Sequence, residues 1–247
     1  MMKKKEVIKE FYGEIAEWYD EMYVDKKIYQ NEALQVDSFI KKYKKTEGNN
    51  LLDLACGSGP HIEYWLDKYH IVGLDNNMHM LMCAKRKWPQ IVYICGNMFH
   101  FSNLFNFDIA TCLYGSIGYA ESIEEIESAI VCVSKCLNRG GIYILTPGEI
   151  KDNFENKVFV KSKELDDKGS YFRKIEIVRQ VDENNAVISM NYRIVTHGNA
   201  KTHKYEIPIS LFRRDDYICV LEKNGFLIEE EKNQSEFRMG VFVCRKL

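Results

Sequence analysis

The sequence predicts an α/β protein: a mostly parallel sheet covered on both faces by helices, preceded by a helical cap and interrupted late by an antiparallel β insertion. Two patterns carry this. The short apolar runs NNLLDLACG, HIVGLD, PQIVYICGN and FDIATCLYG alternate with GPHIEYWLDKY and NNMHMLMCAKRKW, whose apolar residues recur at three and four positions. Continuous apolar strands joined by amphipathic helices are what a buried parallel sheet requires. After Pro147, the runs VFVKSKEL, SYFRKIEIVRQ, AVISMNYRIVTH and THKYEIPISLF show partial period-two alternation between the polar breaks DDKG, DENN and HGNA, as antiparallel strands do.

Taken in order, residues 1–48 read as a polar-faced helical cap, leaving through Lys41, Lys42, Lys44, Lys45 and Gly48. Residues 49–149 read as the α/β core. GPHIEYWLDKY is its first helix, with Pro60 suited to the first helical position, and SIEEIESAIVCVSKCLN is a longer helix ending at Arg139-Gly140-Gly141 before the strand GIYILTP. Residues 150–210 form the inserted sheet. Residues 211–247 return a helix, RDDYICVLEKNGF with a Gly225 stop, and two closing strands, FLIEE and EFRMGVFVC. With 247 residues, 46% of them apolar, one domain with one large core is expected.

Composition removes several function classes. The net charge is -2, from 34 basic and 36 acidic side chains, which gives no broad field for nucleic acid or an anionic membrane. The N-terminal lysines are followed by no apolar stretch of signal-peptide length, and no run approaches a membrane span, so a cytoplasmic protein without nucleic-acid or membrane partners is expected. The cysteines at 56, 83, 95, 112, 132, 136, 219 and 244 are scattered among apolar runs and read as reduced core residues. Cys132 and Cys136 share a helix face but have no second pair, so no metal site is expected.

The chemistry begins at LLDLACGSGPH, residues 51–61. Gly57 and Gly59 follow the first strand, where a parallel sheet opens its ligand crevice and where backbone without Cβ atoms approaches a ligand closely. Asp75 ends the second strand, at the separation that suits a carboxylate accepting both hydroxyls of a ribose, and Asn76 or Asn77 begins the next helix. A nicotinamide dinucleotide is one reading of these features. Its fingerprint needs a third small residue where this chain has Ile62.

Asp53-Leu54-Ala55-Cys56-Gly57-Ser58-Gly59, then Gly73-Leu74-Asp75, Gly96-Asn97-Met98 and Phe107-Asp108 together resemble the ordered motifs of class I S-adenosylmethionine-dependent methyltransferases. The resemblance implies a Rossmann-like, seven-stranded sheet, S-adenosyl-L-methionine as cofactor and S-adenosyl-L-homocysteine as product. It places the Gly57 to Gly59 backbone against the methionine part, Asp75 at the ribose, Asn97 and Met98 at the adenine and Leu113 at the methyl end, with Asp53, Ala55 and Asn76 as further cofactor-binding residues. Asn97 stands where many members carry aspartate, and an asparagine carbonyl accepts the same hydrogen bond more weakly. Asp108, preceding its strand, reads as structural.

Outside the core, WYDEMYVDKKIYQNEA, CLYGSIGYA and THKYEIPISLFRRDDY resemble the dTDP-amino-sugar N,N-dimethyltransferases; glycine-type N-methyltransferases share the core. This implies a small-molecule amine acceptor and a monomer or homodimer. Tyr119 stands where the sugar enzymes tend to have histidine. Tyr19, Tyr114 and Tyr119 are the catalytic candidates for orienting the amine, and Tyr23 and Tyr29 belong to the acceptor segment, where Glu32 reads as a helix-face residue. Arg213 and Arg214 are candidates for holding a phosphate in forked hydrogen bonds. Residues 151–214 carry 13 basic against 9 acidic side chains, which suits an anionic substrate. A non-catalytic nucleoside-binding module is the remaining alternative.

Overall fold

The computed structural model describes residues 4–102, 104, 106–165, 170–196 and 198–247; the expected DDKG turn and His197 lie outside the described residues. Three helices come first, α1 (Lys4–Ile15), α2 (Tyr19–Tyr23) and α3 (Lys26–Tyr43). Asp25 starts α3 by accepting from the amides of Lys27 at 3.0 Å and Ile28 at 3.2 Å, and Lys41 and Lys42 sit in its last turn, where a cation meets the negative helix end.

The core follows as β1 (Asn50–Leu54), β2 (His70–Asp75), α4 (Met78–Lys87), β3 (Val92–Cys95), β4 (Phe107–Cys112), α5 (Ile123–Cys136) and β5 (Leu137–Leu145). The insertion is β6 (Lys157–Glu164), β7 (Tyr171–Gln180), β8 (Asn185–Thr196) and β9 (Asn199–Ser210), four antiparallel strands in sequential order. The chain closes with α6 (Arg214–Lys223), β10 (Phe226–Lys232) and β11 (Val241–Lys246).

The main sheet has seven strands in the order β10-β11-β5-β4-β1-β2-β3, with β11 antiparallel to both neighbours and β1 to β5 mutually parallel. Strand order reverses beside β1, which pairs with β2 on one side and β4 on the other, so the carboxyl ends of β1 and β4 open the crevice in which such sheets bind ligands. One face packs on α5 and α6 through Ile126, Val133, Tyr217 and Leu221. The other packs on α3 through Val36 and Ile40, with Trp65. A third apolar cluster joins the inner face of the inserted sheet, including Phe172, Met190 and Tyr192, to α1 and to Tyr19 and Met22 of α2. The insertion thus rests on the cap beside the crevice. No helix among the described residues is long and apolar enough to cross a membrane.

Three local expectations are corrected. The segment GPHIEYWLDKY is not an α-helix: after a 3₁₀ turn at Ile62–Tyr64 it continues as turns, with amides bonding three residues back, as in Trp65 to Ile62 and Lys68 to Trp65, each at 3.0 Å, alternating with bonds four back. The helix before β5 stops at Cys136, and Arg139-Gly140-Gly141 falls inside the strand, because Leu137 already adopts extended backbone. EFRMGVFVC is strand only from Val241; Met239 and Gly240 both take positive φ and turn the chain before it. Asp108 is a staple: it accepts from the Asn50 amide and the Asn138 side chain, each at 3.1 Å, tying β1 to the start of β5.

Candidate active site

A cleft of about 1080 Å³, counting its open mouth, lies over the carboxyl ends of β1, β2 and β4. Asp53, Ala55, Gly57, Asp75, Asn76, Asn97, Met98 and Leu113 line it, and so do Tyr19, Tyr29, Tyr114 and Tyr119. Twelve of the expected site residues therefore share one space.

The half over β1 and β2 fits S-adenosylmethionine. Gly57 has φ +55°, and a Cβ there would lie 3.2 Å from the Met80 methyl, so glycine keeps the backbone open to the cleft. The Asp75 carboxylate is held rigidly, with Oδ2 accepting from the Gly57 amide and Oδ1 from the Asn77 amide, both at 2.8 Å. Each oxygen keeps a lone pair suited to one hydroxyl of a ribose diol. Burial raises the Asp75 pKa, and those amides pull it back. Asn77, with Oδ1 accepting from His79 at 3.0 Å, is the residue that caps α4, which frees Asp75 from that job.

Asp53, 3% exposed, accepts from the Thr111 hydroxyl at 2.8 Å, and burial pushes its pKa to about 6 against the opposing effects of His61 and Thr111. Asn97 closes a local turn, its Oδ1 accepting from the Phe99 amide at 3.0 Å; one lone pair of that carbonyl remains for an adenine amino group. Ala55 and Tyr114, at the ends of β1 and β4, hold φ of +53° and +59°. Non-glycine residues held there cluster at ligand sites, because the surrounding structure over-determines them.

The other half of the cleft is walled by phenols. The Tyr12 and Tyr119 hydroxyls share a 2.7 Å hydrogen bond, and Tyr19 stacks on Tyr23 with ring centroids 4.9 Å apart. Burial raises the pKa of every one of these groups, that of Tyr119 to about 12. All are neutral at physiological pH. They can orient an acceptor through O–H donors and oxygen lone pairs, and none is a ready base.

Four expected residues do not line the cleft. Gly59 instead holds the turn, its amide donating to Cys56 O at 2.9 Å while its φ is +73°. Tyr23 stands behind Tyr19, its hydroxyl donating to Met190 Sδ at 3.6 Å. Arg214 is exposed and forked onto Glu231, with Nε to Oε1 at 2.6 Å, and exposed Arg213 begins α6, so neither reaches the acceptor space. The basic side chains of the insertion are also widely neutralised, as in Lys157 with Glu149 and Arg179 with Glu206.

Sequence reasoning missed a buried ionic floor. Glu32, expected as a helix-face residue, is 5% exposed. It takes Arg238 in a fork of two 2.6 Å hydrogen bonds and lies 3.1 Å from His61 Nε2. The Arg238 guanidinium lies against the neighbouring rings of Tyr29, at 4.6 Å, and Tyr114, at 4.3 Å. Tyr12 was also missed; its position on an amphipathic helix face was the available signal.

Comparison with known proteins bears on the fold and the activity. A methyltransferase-domain family matches residues 51–141. A Streptomyces fradiae dTDP-3-amino-3,6-dideoxy-alpha-D-glucopyranose N,N-dimethyltransferase is 27% identical over 223 residues, 89% of this chain and 86% of that protein. The crystal structure of Streptomyces venezuelae DesVI is similar in fold, with TM-score 0.80 at 21% identity over the whole of both chains. So is S-adenosylmethionine-bound CalS10, an amino pentose methyltransferase from Micromonospora echinaspora, with TM-score 0.78 at 20% identity over 93% of this chain and 94% of that one. Residues 51–141 match a methyltransferase domain, and the chain is an S-adenosylmethionine-dependent methyltransferase with the class I methyltransferase fold.

Proposed function

We propose that the protein methylates an amine of a small molecule, with a nucleotide-linked amino sugar as the favoured acceptor. The observation that carries this reading is the continuity of the cleft: Asp75, Gly57 and Asn97 at one end and Tyr19, Tyr114 and Tyr119 at the other line a single space. The resemblance to dimethyltransferases acting on dTDP-linked amino sugars supports the choice of acceptor.

Bound S-adenosylmethionine supplies an electrophilic methyl group on a positively charged sulfur. The residues of this chain do the rest by positioning. Gly57 and Ala55 offer backbone to the methionine part, Asp75 holds the ribose hydroxyls, and Asn97 with Met98 meets the adenine edge. Leu113 and Tyr114, at the end of β4, shape the wall where donor and acceptor meet. Bringing two reactants into line is worth about 7 to 11 kcal/mol, so no covalent help from the protein is required. The aromatic wall of Tyr12, Tyr19 and Tyr119 lowers the local dielectric, which favours the neutral amine that can attack over its ammonium form.

The test is an acceptor screen with methyl-labelled S-adenosylmethionine and matched amines, hydroxyls and thiols, including sugar nucleotides. Label is expected in amine products. Label confined to oxygen or sulfur products would reject the amine and leave the methyltransferase standing.

A further inference from the structure

His61 follows the glycine turn and Pro60, lines the cleft and is only 5% exposed. Packing fixes its ring: Trp65 stacks on it with centroids 5.4 Å apart, and the cleft-lining Tyr29 lies tilted against it at 4.7 Å. One ring nitrogen, Nε2, meets Glu32 Oε2 at 3.1 Å. Arg238 forks the same carboxylate and so holds it ionised, which makes Nε2 the donor in that bond. The other nitrogen, Nδ1, makes no hydrogen bond among the described residues and is the one left for a ligand.

The amino-acid tail of S-adenosylmethionine carries an ammonium and a carboxylate. Asp53, buried at the end of β1 just before the glycine turn, suits the ammonium. For the carboxylate, only Lys5 and His61 among the described cleft-lining residues can bear positive charge. Lys5 belongs to the other end, paired with Glu125 and 5.4 Å from the centre of the Phe99 ring, next to Asn97 and Met98. Glu32 and Arg238 cancel each other, so a proton on His61 gives its cluster one net positive charge.

We propose that His61, held by Glu32, receives the methionine carboxylate of the cofactor as an imidazolium that donates from Nδ1. The proposal concerns the cofactor and holds whichever acceptor is methylated. Donation from both ring nitrogens requires the protonated ring. The charged and titratable groups packed around it are Glu32 and Tyr29 on α3, Arg238 before β11 and Asp53 on β1. A buried cation is costly without an anion beside it, so the arriving carboxylate draws a proton from solvent onto the ring. The same bond would fix the tail and, with it, the sulfur that carries the methyl group.

Calorimetry on wild type and His61→Asn tests this at about pH 7.5, where an unperturbed histidine is mostly neutral. The ligands are S-adenosylhomocysteine, its carboxamide, whose tail keeps its shape but loses its negative charge, and methylthioadenosine, which has no tail. Wild type is expected to bind S-adenosylhomocysteine about 30-fold more tightly than the carboxamide, the scale of a hydrogen bond between charged groups. In His61→Asn that preference should fall to about threefold or less, with methylthioadenosine bound within about twofold of wild type. Titrations in buffers of different ionisation enthalpy should show wild type taking up a proton with S-adenosylhomocysteine and none with the carboxamide, which a purely structural histidine would not do. If His61→Asn folds poorly or loses methylthioadenosine as well, the wild-type ligand comparison and proton count decide alone. Equal wild-type affinity for the acid and the carboxamide, equal proton uptake with the two, or the full preference kept by a folded His61→Asn would overturn the proposal.

Discussion

Asp53 is held at the crevice with a carboxyl pKa of about 6, because burial penalises its charged form. In the unfolded chain the value is about 3.9. The native state therefore binds this proton more tightly, so the associated stability is full below about pH 4 and is lost as pH rises through about 6, on the order of 3 kcal/mol in all. Asp53→Asn is expected to match the stability of wild type near pH 4 and to exceed it by about 2 to 3 kcal/mol above pH 7 without cofactor. Urea denaturation across that range checks this, and a difference that does not vary with pH would count against it. Asp75→Ala should weaken S-adenosylhomocysteine by about 1 to 3 kcal/mol in calorimetry, through loss of a charged acceptor of two hydroxyls. These two acids were legible in the sequence because strand ends and glycine spacing place them. Glu32 was not, since its burial depends on Arg238, 206 positions away.

At the scale of elements, the Glu32–Arg238 fork fastens α3 to the turn before β11, and the Tyr29 and Tyr114 rings close over it. Breaking a buried pair from one side leaves an uncompensated charge, so Glu32→Gln should lower unfolding stability by about 3 to 5 kcal/mol, and Glu32→Leu with Arg238→Met should recover much of that. Equal stability of the single and double variants by denaturant titration would refute this account. Periodicity revealed the strands and the amphipathic helices of this fold, because each buries a regular face. It misjudged residues 59–69, where Ile62 and Trp65 keep helix-like apolar spacing while the backbone alternates bonds three and four residues back. It also carried Arg213 and Arg214 toward the acceptor from adjacency in sequence, whereas both are exposed at the start of α6, with Arg214 bonded to Glu231.

Across the whole molecule, the parallel sheet supplies the cofactor half of the cleft, while Tyr12 of α1 and Tyr19 of α2, backed by the inserted sheet, wall the acceptor half. Ligand binding to the folded state alone should then raise stability by mass action: S-adenosylhomocysteine at 100 times its Kd adds about 2.7 kcal/mol. For a chain of this length that is a Tm increase of about 5 to 10 °C, which Asp75→Ala should largely remove at the same ligand concentration. The sheet and the cofactor identity were legible because glycine turns and strand-end acids occur in a fixed order. The tyrosine wall was legible only in part, because Tyr12, Tyr19 and Tyr119 come from three separate segments that tertiary packing joins. The central claim, a methyltransferase whose aromatic chamber takes an amine, is tested most directly by one matched comparison. Purified protein is given labelled S-adenosylmethionine with either dTDP-3-amino-3,6-dideoxyglucose or the same sugar nucleotide bearing a 3-hydroxyl, and the label is located by mass spectrometry. The account predicts methyl groups on the amino nitrogen and none on the hydroxyl sugar; label on the hydroxyl sugar alone would contradict it.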